Sequence, residues 1–342
     1  STPEDHQNQN LEKALKNSCN MYFYTVGYRL GIERLYQWAA ALGLTSKTNI
    51  ELPGEATSFV GNQHMLYDPE NSPTWQNTAK PLLTYTAMKT ELEQVFAERK
   101  MNVSNEVFEK ALNDLMKIAV TYDTKEKWYL PIREILQYDL GLPRQYISSH
   151  YMVNTFVTYL ADIYWTPNET IMCAIGQSIT QVTPVAVARY VSAIVNGGTV
   201  YDAQIVDKII APDGAVVLEK QPVVANRINT QEAYYQAIRA GMEDVTDEVA
   251  GGTAAKFFLD NKYKIAAKTG TSQRTELDVE NNSWMVAYAP AENPRVVVVC
   301  YIQNGYAGAY SAWAIRPVIN YYLDSLGYSE NSDMDKEFTM AD

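Results

Sequence analysis

The chain has 342 residues, of which 46% are hydrophobic, and a formal net charge of -12 at pH 7. This length is sufficient for one large domain or two ordinary domains with a real core. The longest apolar run, VVVVCYI at 296–302, is too short to cross a membrane, and the acidic balance argues against nucleic acid as a partner.

The cysteines and histidines give no support for a disulfide framework or a metal centre. Cys19, Cys173 and Cys300 are widely spaced, and no Cys-x-x-Cys or His-x-x-x-His spacing occurs. We therefore expect no metal site, with a site built from the three cysteines as a minor alternative. The three histidines share no pattern, so the base of any enzyme here is not expected to be histidine.

The N-terminal part is predicted to be helical. Apolar residues recur at helical spacing over 11–42, with a break at 17–20, which predicts two helices joined by a polar segment. The following run TNIELPGEA is expected to form a short strand or an extended loop that ends at Pro53 and Gly54.

Residues 64–167 are predicted to be a helical insertion. The runs TAMKTELEQVFAERKM and SNEVFEKALNDLMKIAV are amphipathic, and a Tyr-rich, less periodic stretch follows them. Two roles stay open for this segment: a partner surface or lid, and a packing appendage.

After this segment the sequence alternates between helix and hairpin signals. Residues 183–198 predict a helix with Thr183 as its N-cap and two glycines at its end. Residues 203–221 predict a hairpin with a Pro-Asp-Gly turn. A helix is expected over 229–245, with Asn229 and Glu232 at capping-box spacing.

The C-terminal part predicts an antiparallel meander covered by a helix. Three strand-like runs, KYKIAAKTG, SWMVAYAP and RVVVVCYIQNG, are joined by short turns, and the amphipathic run AWAIRPVINYYLDSLGY follows them. The order of elements predicts an α+β fold, with an antiparallel sheet flanked by helices, and not repeated βαβ units.

The run Lys268-Thr269-Gly270-Thr271 has an unusual composition for the end of an apolar strand. An acyl-transfer enzyme without histidine needs a hydroxyl nucleophile, a lysine of lowered pKa and backbone N–H groups aimed at the oxyanion. Lys268 supplies a cation, and the two threonines lie on one side of the strand. Gly270 leaves room for a substrate backbone to add to this edge as a strand. Alone, the run is weak evidence for catalysis.

The second candidate element is Asn17-Ser18-Cys19-Asn20, in the predicted joint between the first two helices. In such a joint, Ser18 and Asn20 can point into a cleft while Cys19 packs behind them. The competing interpretation is that Ser18 caps a helix.

Together these two segments match the second and third of the motifs Ser-x-x-Lys, Ser-x-Asn and Lys-Thr-Gly, which occur in this order in penicillin-binding proteins and serine β-lactamases. The sequence resembles class B penicillin-binding proteins of the cell-elongation type over about residues 6–62 and 171–327. ALKNSCNMYFYTVGYRLG is similar to their second-motif region, and TNIELPGE to a segment that follows it. The match continues in AIGQSITQVTPVAVARYVSAIVNGGTVY, GGTAAKFF and KIAAKTGTSQ.

Two features depart from the family pattern. The segment between Gly61 and about Pro167 is longer than expected, and no serine in the chain is followed three residues later by lysine. In the family, that first motif lies upstream and supplies the nucleophile and its base. We expect that the chain begins after the motif, and that the membrane anchor also lies in the missing N-terminal part. Loss of the motif is the alternative.

The resemblance implies a D,D-transpeptidase that cross-links peptidoglycan stem peptides on the extracytoplasmic face of the bacterial cytoplasmic membrane. It assigns proton relay and substrate hydrogen bonding to Ser18 and Asn20. Lys268, Thr269 and Thr271 would hold the terminal carboxylate, and the Thr271 N–H would form half of the oxyanion hole. β-Lactam antibiotics are expected ligands, and elongation proteins are expected partners of the insertion. The resemblance also implies that no organic cofactor is needed. The nucleophile is not in this chain, which is expected to be inactive alone.

Two alternatives remain at this stage. One is an inactive scaffold of the cell-wall machinery, and the other is a D,D-carboxypeptidase or β-lactamase of the same fold. The predicted boundaries are 1–63 and 168–330 for the transpeptidase domain, 64–167 for the insertion and 331–342 for a tail.

Overall fold

The computed structural model describes residues 6–148, 151–273 and 279–328. Its contacts divide the chain into a sheet unit, residues 1–60 and 171–342, and a helical unit, residues 61–170. These divisions lie three residues from the boundaries chosen from the sequence. The role of the helical unit as an insertion stays a prediction, and the expected tail at 331–342 lies outside the described residues.

The described residues form thirteen α-helices. Three additional 3₁₀ segments and one π-helical segment (Ile135–Asp139) lie between them. In chain order the α-helices are α1 (Leu11–Lys16), α2 (Asn20–Leu30), α3 (Ile32–Ala41), α4 (Gln63–Leu66), α5 (Lys80–Arg99), α6 (Asn105–Thr121), α7 (Tyr129–Glu134), α8 (Arg144–Ser148), α9 (Tyr151–Ala161), α10 (Pro167–Cys173), α11 (Pro184–Val195), α12 (Glu232–Asp244) and α13 (Ala312–Ser325).

Seven strands form one three-stranded sheet and two antiparallel ribbons within the described residues. The three-stranded sheet has the order β5-β6-β7, and both of its strand pairs are antiparallel. The ribbons pair β1 with β4 and β2 with β3. The strands are β1 (Thr199–Tyr201), β2 (Lys208–Ile210), β3 (Val216–Glu219), β4 (Val224–Arg227), β5 (Ala266–Ser272), β6 (Asn282–Ala289) and β7 (Val296–Ile302).

Both faces of the three-stranded sheet are covered, because apolar side chains alternate along its strands. On one face, Ala267 and Met285 pack in a cluster that includes Ile315 of α13. On the other face, Ala266 and Tyr288 pack with residues of α11 and α12. The predicted α+β class, the meander and the covering C-terminal helix are confirmed.

The N-terminal segment contains three helices, so the prediction of two was wrong. The break between α1 and α2 lies where it was expected, but Gly31 interrupts the second predicted helix. Gly31 has a φ of 74° and separates α2 from α3. Such a conformation is accessible to glycine at little steric cost, and the helical periodicity continues on both sides of it. TNIELPGEA contains no strand.

Capping was predicted correctly for one helix and wrongly for another. The Thr183 hydroxyl accepts a hydrogen bond from the Ala186 N–H at 3.3 Å, as expected of an N-cap. At α12 the N-cap is Gln231, which makes no side-chain capping bond. The Asn229–Glu232 capping box therefore does not form, because the helix begins too late for Asn229 to act as its N-cap.

The helical unit has a core of its own. Trp128 is fully buried, and its indole N–H donates to the Tyr122 carbonyl at 3.2 Å. Leu112, Leu115 and Met116 of α6 are also fully buried in the same cluster. Among the described residues of the whole chain, no helix is long and apolar enough to cross a bilayer.

Replacing Leu112 by alanine should lower the free energy of unfolding by about 2–5 kcal/mol, because a fully buried leucine leaves a cavity. Leu83→Ala is the matched control, since Leu83 is 65% exposed, and should change stability by less than about 0.5 kcal/mol. Urea denaturation of both variants measures the difference. Equal effects would contradict the burial described for α6.

Candidate active site at the edge of the sheet

Strand β5 lies at one edge of the three-stranded sheet, and its backbone groups alternate between the two sides. Just before the strand, the Lys264 carbonyl accepts a hydrogen bond from the Ala291 N–H on the side of β6. The odd-numbered residues of this segment therefore direct their carbonyls outward, away from β6. The outward carbonyls of Ile265, Thr269 and Thr271 each accept a hydrogen bond from a side chain.

The structure brings Lys268 and Ser18 together. The Lys268 ammonium donates to Ser18 Oγ at 2.6 Å and to the carbonyl of Thr269 at 2.8 Å. These two residues are separated by 250 positions in the chain, so only the folded sheet unit joins them.

The joint between α1 and α2 presents Ser18 in an unusual backbone conformation. Ser18 has a φ of 50°, in the left-handed region that residues with a side chain seldom adopt. Cys19 is 1% exposed and packs behind it, while Asn20 is exposed. Ser18 makes no helix cap, since the N-cap of α2 is Cys19 and no side chain caps that helix. The capping interpretation of Ser18 is therefore wrong.

Lys268 is partly buried, and the environment of its ammonium group changes its pKa. Removal of its ammonium from water lowers the pKa of Lys268 to about 8. Lys264, four residues earlier, forms ion pairs with Glu243 and Glu292, and these raise its pKa. The two lysines thus differ in environment, and of the two only Lys268 has a pKa low enough for proton exchange near neutral pH.

A turn at Ala307 and Gly308, which was not predicted from the sequence, forms one wall of the site and is called the Gly308 turn. The Gly308 N–H donates to Thr271 Oγ1 at 3.0 Å. The buried Ser283 hydroxyl donates to the Ala307 carbonyl at 2.8 Å and pairs with Ser311 Oγ at 2.6 Å, which fixes the start of the turn. A Cβ on Gly308 would lie 2.4 Å from the Gly270 carbonyl oxygen. Glycine at 308 is therefore required by close backbone approach.

These elements line an open cleft with a volume of about 560 Å³. Every predicted site residue lines this cleft except Lys268 and Gly270. Lys268 is hydrogen-bonded to Ser18, which lines the cleft, and Gly270 lies beneath the Gly308 turn. The lining residues are His6, Asn17, Ser18, Cys19, Asn20, Met21, Thr253, Thr269, Thr271, Ala307, Gly308 and Ala309.

The cleft presents hydroxyl, amide and ammonium groups close together. Hydroxyls of Thr269 and Thr271, the amide of Asn20 and the Ser18–Lys268 pair converge on it. Within the described ranges, no group of three or more His, Cys, Asp or Glu side chains is placed to hold a metal ion. Thr253, the Gly308 turn and Gln177, which donates to the Thr271 carbonyl, were not predicted as site residues. Thr253 lies in GGTAAKFF and Gln177 in AIGQSITQVTP, so the family resemblance carried a signal for both residues.

Lys268 should titrate near pH 8, because burial lowers its pKa, whereas Lys264 should stay protonated through pH 10. Below pH 8 the protonated Lys268 donates to Ser18, and above pH 8 the neutral amine can accept a proton. An NMR titration of the lysine side chains, with Lys268→Met to assign the signal, measures both values. Equal titration of the two lysines near pH 10.5 would contradict the desolvation of the Lys268 ammonium.

Replacing Gly308 by alanine should destabilise the chain by about 1–3 kcal/mol, since the new methyl group overlaps the Gly270 backbone. Gly270→Ala is the comparison, because the nearest contact of its Cβ would be Trp284 Cβ at 3.2 Å, and it should have the smaller effect. Denaturant unfolding of the two variants orders them. A larger loss for Gly270→Ala would contradict the described turn.

Comparison with known families gives one extended match. The model of the penicillin binding protein transpeptidase domain matches residues 1–124 and 151–320, well over half of the chain. The match runs through much of the segment predicted to be an insertion and omits residues 125–150.

Curated relatives give the same result at the level of sequence. The peptidoglycan D,D-transpeptidase MrdA of Haemophilus influenzae is 24% identical over 335 residues, which cover 93% of this chain and 37% of the relative. Penicillin-binding protein 2A of Bacillus subtilis is 34% identical over 180 residues, covering 48% of this chain and 24% of the relative. The chain thus spans well under half of the length of these relatives.

Solved structures share the fold. A Helicobacter pylori penicillin-binding protein (PBP2), solved in complex with MreC, superposes with a TM-score of 0.56 at 20% identity, covering 94% of this chain and 41% of that one. Pseudomonas aeruginosa PBP2 superposes with a TM-score of 0.55 at 20% identity, covering 97% of this chain and 50% of that one. At this identity the likeness concerns the fold alone.

Proposed function

The chain belongs to the penicillin-binding protein transpeptidase family, and on this premise we propose that it forms the substrate-binding part of a peptidoglycan D,D-transpeptidase of the cell-elongation type. The observation that carries this proposal is the contact between Lys268 Nζ and Ser18 Oγ at 2.6 Å, beside an open strand edge. It joins the two motif segments that acyl transfer without histidine requires.

In this proposal the stem peptide lies along β5 as an added strand. Lys268 provides the positive field for its terminal carboxylate, and the hydroxyls of Thr269 and Thr271 donate hydrogen bonds to that group. The bare backbone at Gly270 permits close approach, and the Asn20 amide holds a peptide amide group of the substrate. No cofactor takes part.

The covalent step uses a serine outside these 342 residues. A Ser-x-x-Lys segment of the full-length protein supplies it, since no such motif occurs in the chain. This serine attacks the penultimate D-Ala carbonyl, and the Thr271 N–H with the serine's own N–H stabilises the oxyanion. The terminal D-Ala departs as its amine gains a proton through Ser18 and Lys268. An amine from a neighbouring peptidoglycan chain then attacks the acyl-enzyme, which forms the cross-link and releases the serine.

The environment of the enzyme is also part of the proposal. Peptidoglycan lies outside the cytoplasmic membrane, so the domain is placed on that face, with its anchor outside this chain. The helical unit is proposed to bind a protein of the elongation machinery. The Helicobacter pylori neighbour solved in complex with MreC supports such a partner for this chain. β-Lactams would acylate the same serine.

Labelling of the full-length gene product with fluorescent penicillin tests the proposal. We expect the label on a serine followed three residues later by lysine, located by peptide mass spectrometry, and none on the 342-residue chain. A folded full-length protein without label would favour the inactive scaffold, for which the absence of Ser-x-x-Lys in this chain is the supporting observation. Rapid turnover of a chromogenic β-lactam would favour a hydrolase.

In the full-length protein, Ser18→Ala should lower the acylation rate by about 10²–10⁴-fold, since it breaks the proton path to Lys268. Thr25→Ala is the control, because Thr25 is exposed on α2 and its hydroxyl bonds only the Met21 carbonyl. Stopped-flow β-lactam acylation measures both. An unchanged rate in Ser18→Ala would remove Ser18 from the mechanism.

A further inference from the structure

The edge that the substrate is proposed to use already has an occupant. The Gln177 side-chain amide donates to the Thr271 carbonyl at 3.2 Å. This carbonyl is one of the outward acceptors of β5, on the side away from β6. A side chain thus occupies an acceptor that an added strand would need.

The segment that carries Gln177 is held in place on both sides. Gly176 has a φ of 77° and Ser178 a φ of 63°, so the backbone reverses around Gln177. The second value is unfavourable for a residue with a side chain and persists only where the surroundings enforce it. Farther along, Gln181 and Phe59 exchange two backbone hydrogen bonds of 2.8 and 3.0 Å. Gln177 is therefore directed at β5 by an anchored loop.

Antiparallel pairing identifies the substrate group that competes for this acceptor. In a hydrogen-bonded antiparallel pair, two opposed residues exchange both of their N–H···O bonds. In the proposed reaction the penultimate D-Ala carbonyl accepts from the Thr271 N–H. The N–H of that same D-Ala must then donate to the Thr271 carbonyl, which Gln177 occupies.

We propose that Gln177 is a specificity-determining residue that fills the Thr271 carbonyl until the amide N–H of the penultimate residue replaces it. This inference rests on the proposed function and deepens it. A ligand with that N–H breaks the bond from Gln177 and forms its own. Because one hydrogen bond replaces another, its affinity exceeds that of a ligand without the N–H by less than it otherwise would. The same contact protects an exposed strand edge from unspecific pairing with other chains.

The test uses the 342-residue chain, in which no Ser-x-x-Lys is present and peptide binding can be followed without acylation. Two ligands are compared by NMR titration: an N-acyl-D-Ala-D-Ala peptide, and its analogue with D-lactate in place of the penultimate D-Ala. An ester oxygen replaces the relevant N–H in the second ligand, and the two are otherwise alike. Gln177→Met removes the donor and keeps the length of the side chain. Gln181→Met is the matched control, since Gln181 bonds Phe59 through its backbone.

In Gln177→Met the amide peptide should bind about fivefold more tightly, because it now gains one net hydrogen bond, while the ester analogue should change by less than about twofold. In the wild-type chain, the Gln177 side-chain amide signal, assigned by its loss in Gln177→Met, should shift on addition of the amide peptide and stay in place with the ester. Gln181→Met should leave both affinities unchanged.

Equal changes for the two ligands in Gln177→Met would overturn the inference and leave the proposed function standing. An unmoved Gln177 signal at saturation with the amide peptide would do the same. If neither ligand binds, the same titration is made on the full-length protein with the serine of its Ser-x-x-Lys segment changed to alanine. Absence of binding there too would refute the proposed function, and the inference with it.

Discussion

The hydrogen bond between Lys268 and Ser18 connects the parts of this site. An ammonium group removed from water is costly unless polar partners receive it, and Lys268 donates to one hydroxyl and one carbonyl. Because neither partner carries a charge, burial prevails and the pKa of Lys268 falls to about 8. The same arrangement that makes Lys268 useful for proton exchange therefore depends on the position of Ser18, which is set by a left-handed backbone between two helices.

The open edge of β5 imposes a second constraint. A strand that is to receive a peptide must leave its outward N–H and C=O groups accessible, and such edges pair readily with unintended partners. Here side chains occupy the outward carbonyls: Thr246 at Ile265, Lys268 at Thr269 and Gln177 at Thr271. The Gly308 turn closes the cleft from the other side and bonds the Thr271 hydroxyl. Three outward carbonyls at this edge therefore have side-chain donors before any substrate binds.

The sequence predicted the elements that follow from periodicity and short motifs. The meander of β5, β6 and β7, its covering helix and the α+β class were predictable from alternation and from helical spacing. That Ser18 and Lys268 belong to one site was expected only from the family resemblance, because 250 positions separate them, and their direct hydrogen bond was not predicted. The role of Gly308 was not predictable, since it depends on its distance to Gly270 in the folded chain. The capping box at Asn229 failed because local spacing does not fix where a helix begins.

A structure of the chain with a bound N-acyl-D-Ala-D-Ala peptide tests the central claim most directly. The account predicts the peptide in antiparallel register along β5, with its terminal carboxylate hydrogen-bonded to Thr269 and Thr271 and its penultimate carbonyl at the Thr271 N–H. Lys268 should keep its contact with Ser18 beneath the ligand. A peptide bound elsewhere, or a cleft that stays empty at a ligand concentration where solution binding is saturated, would contradict it.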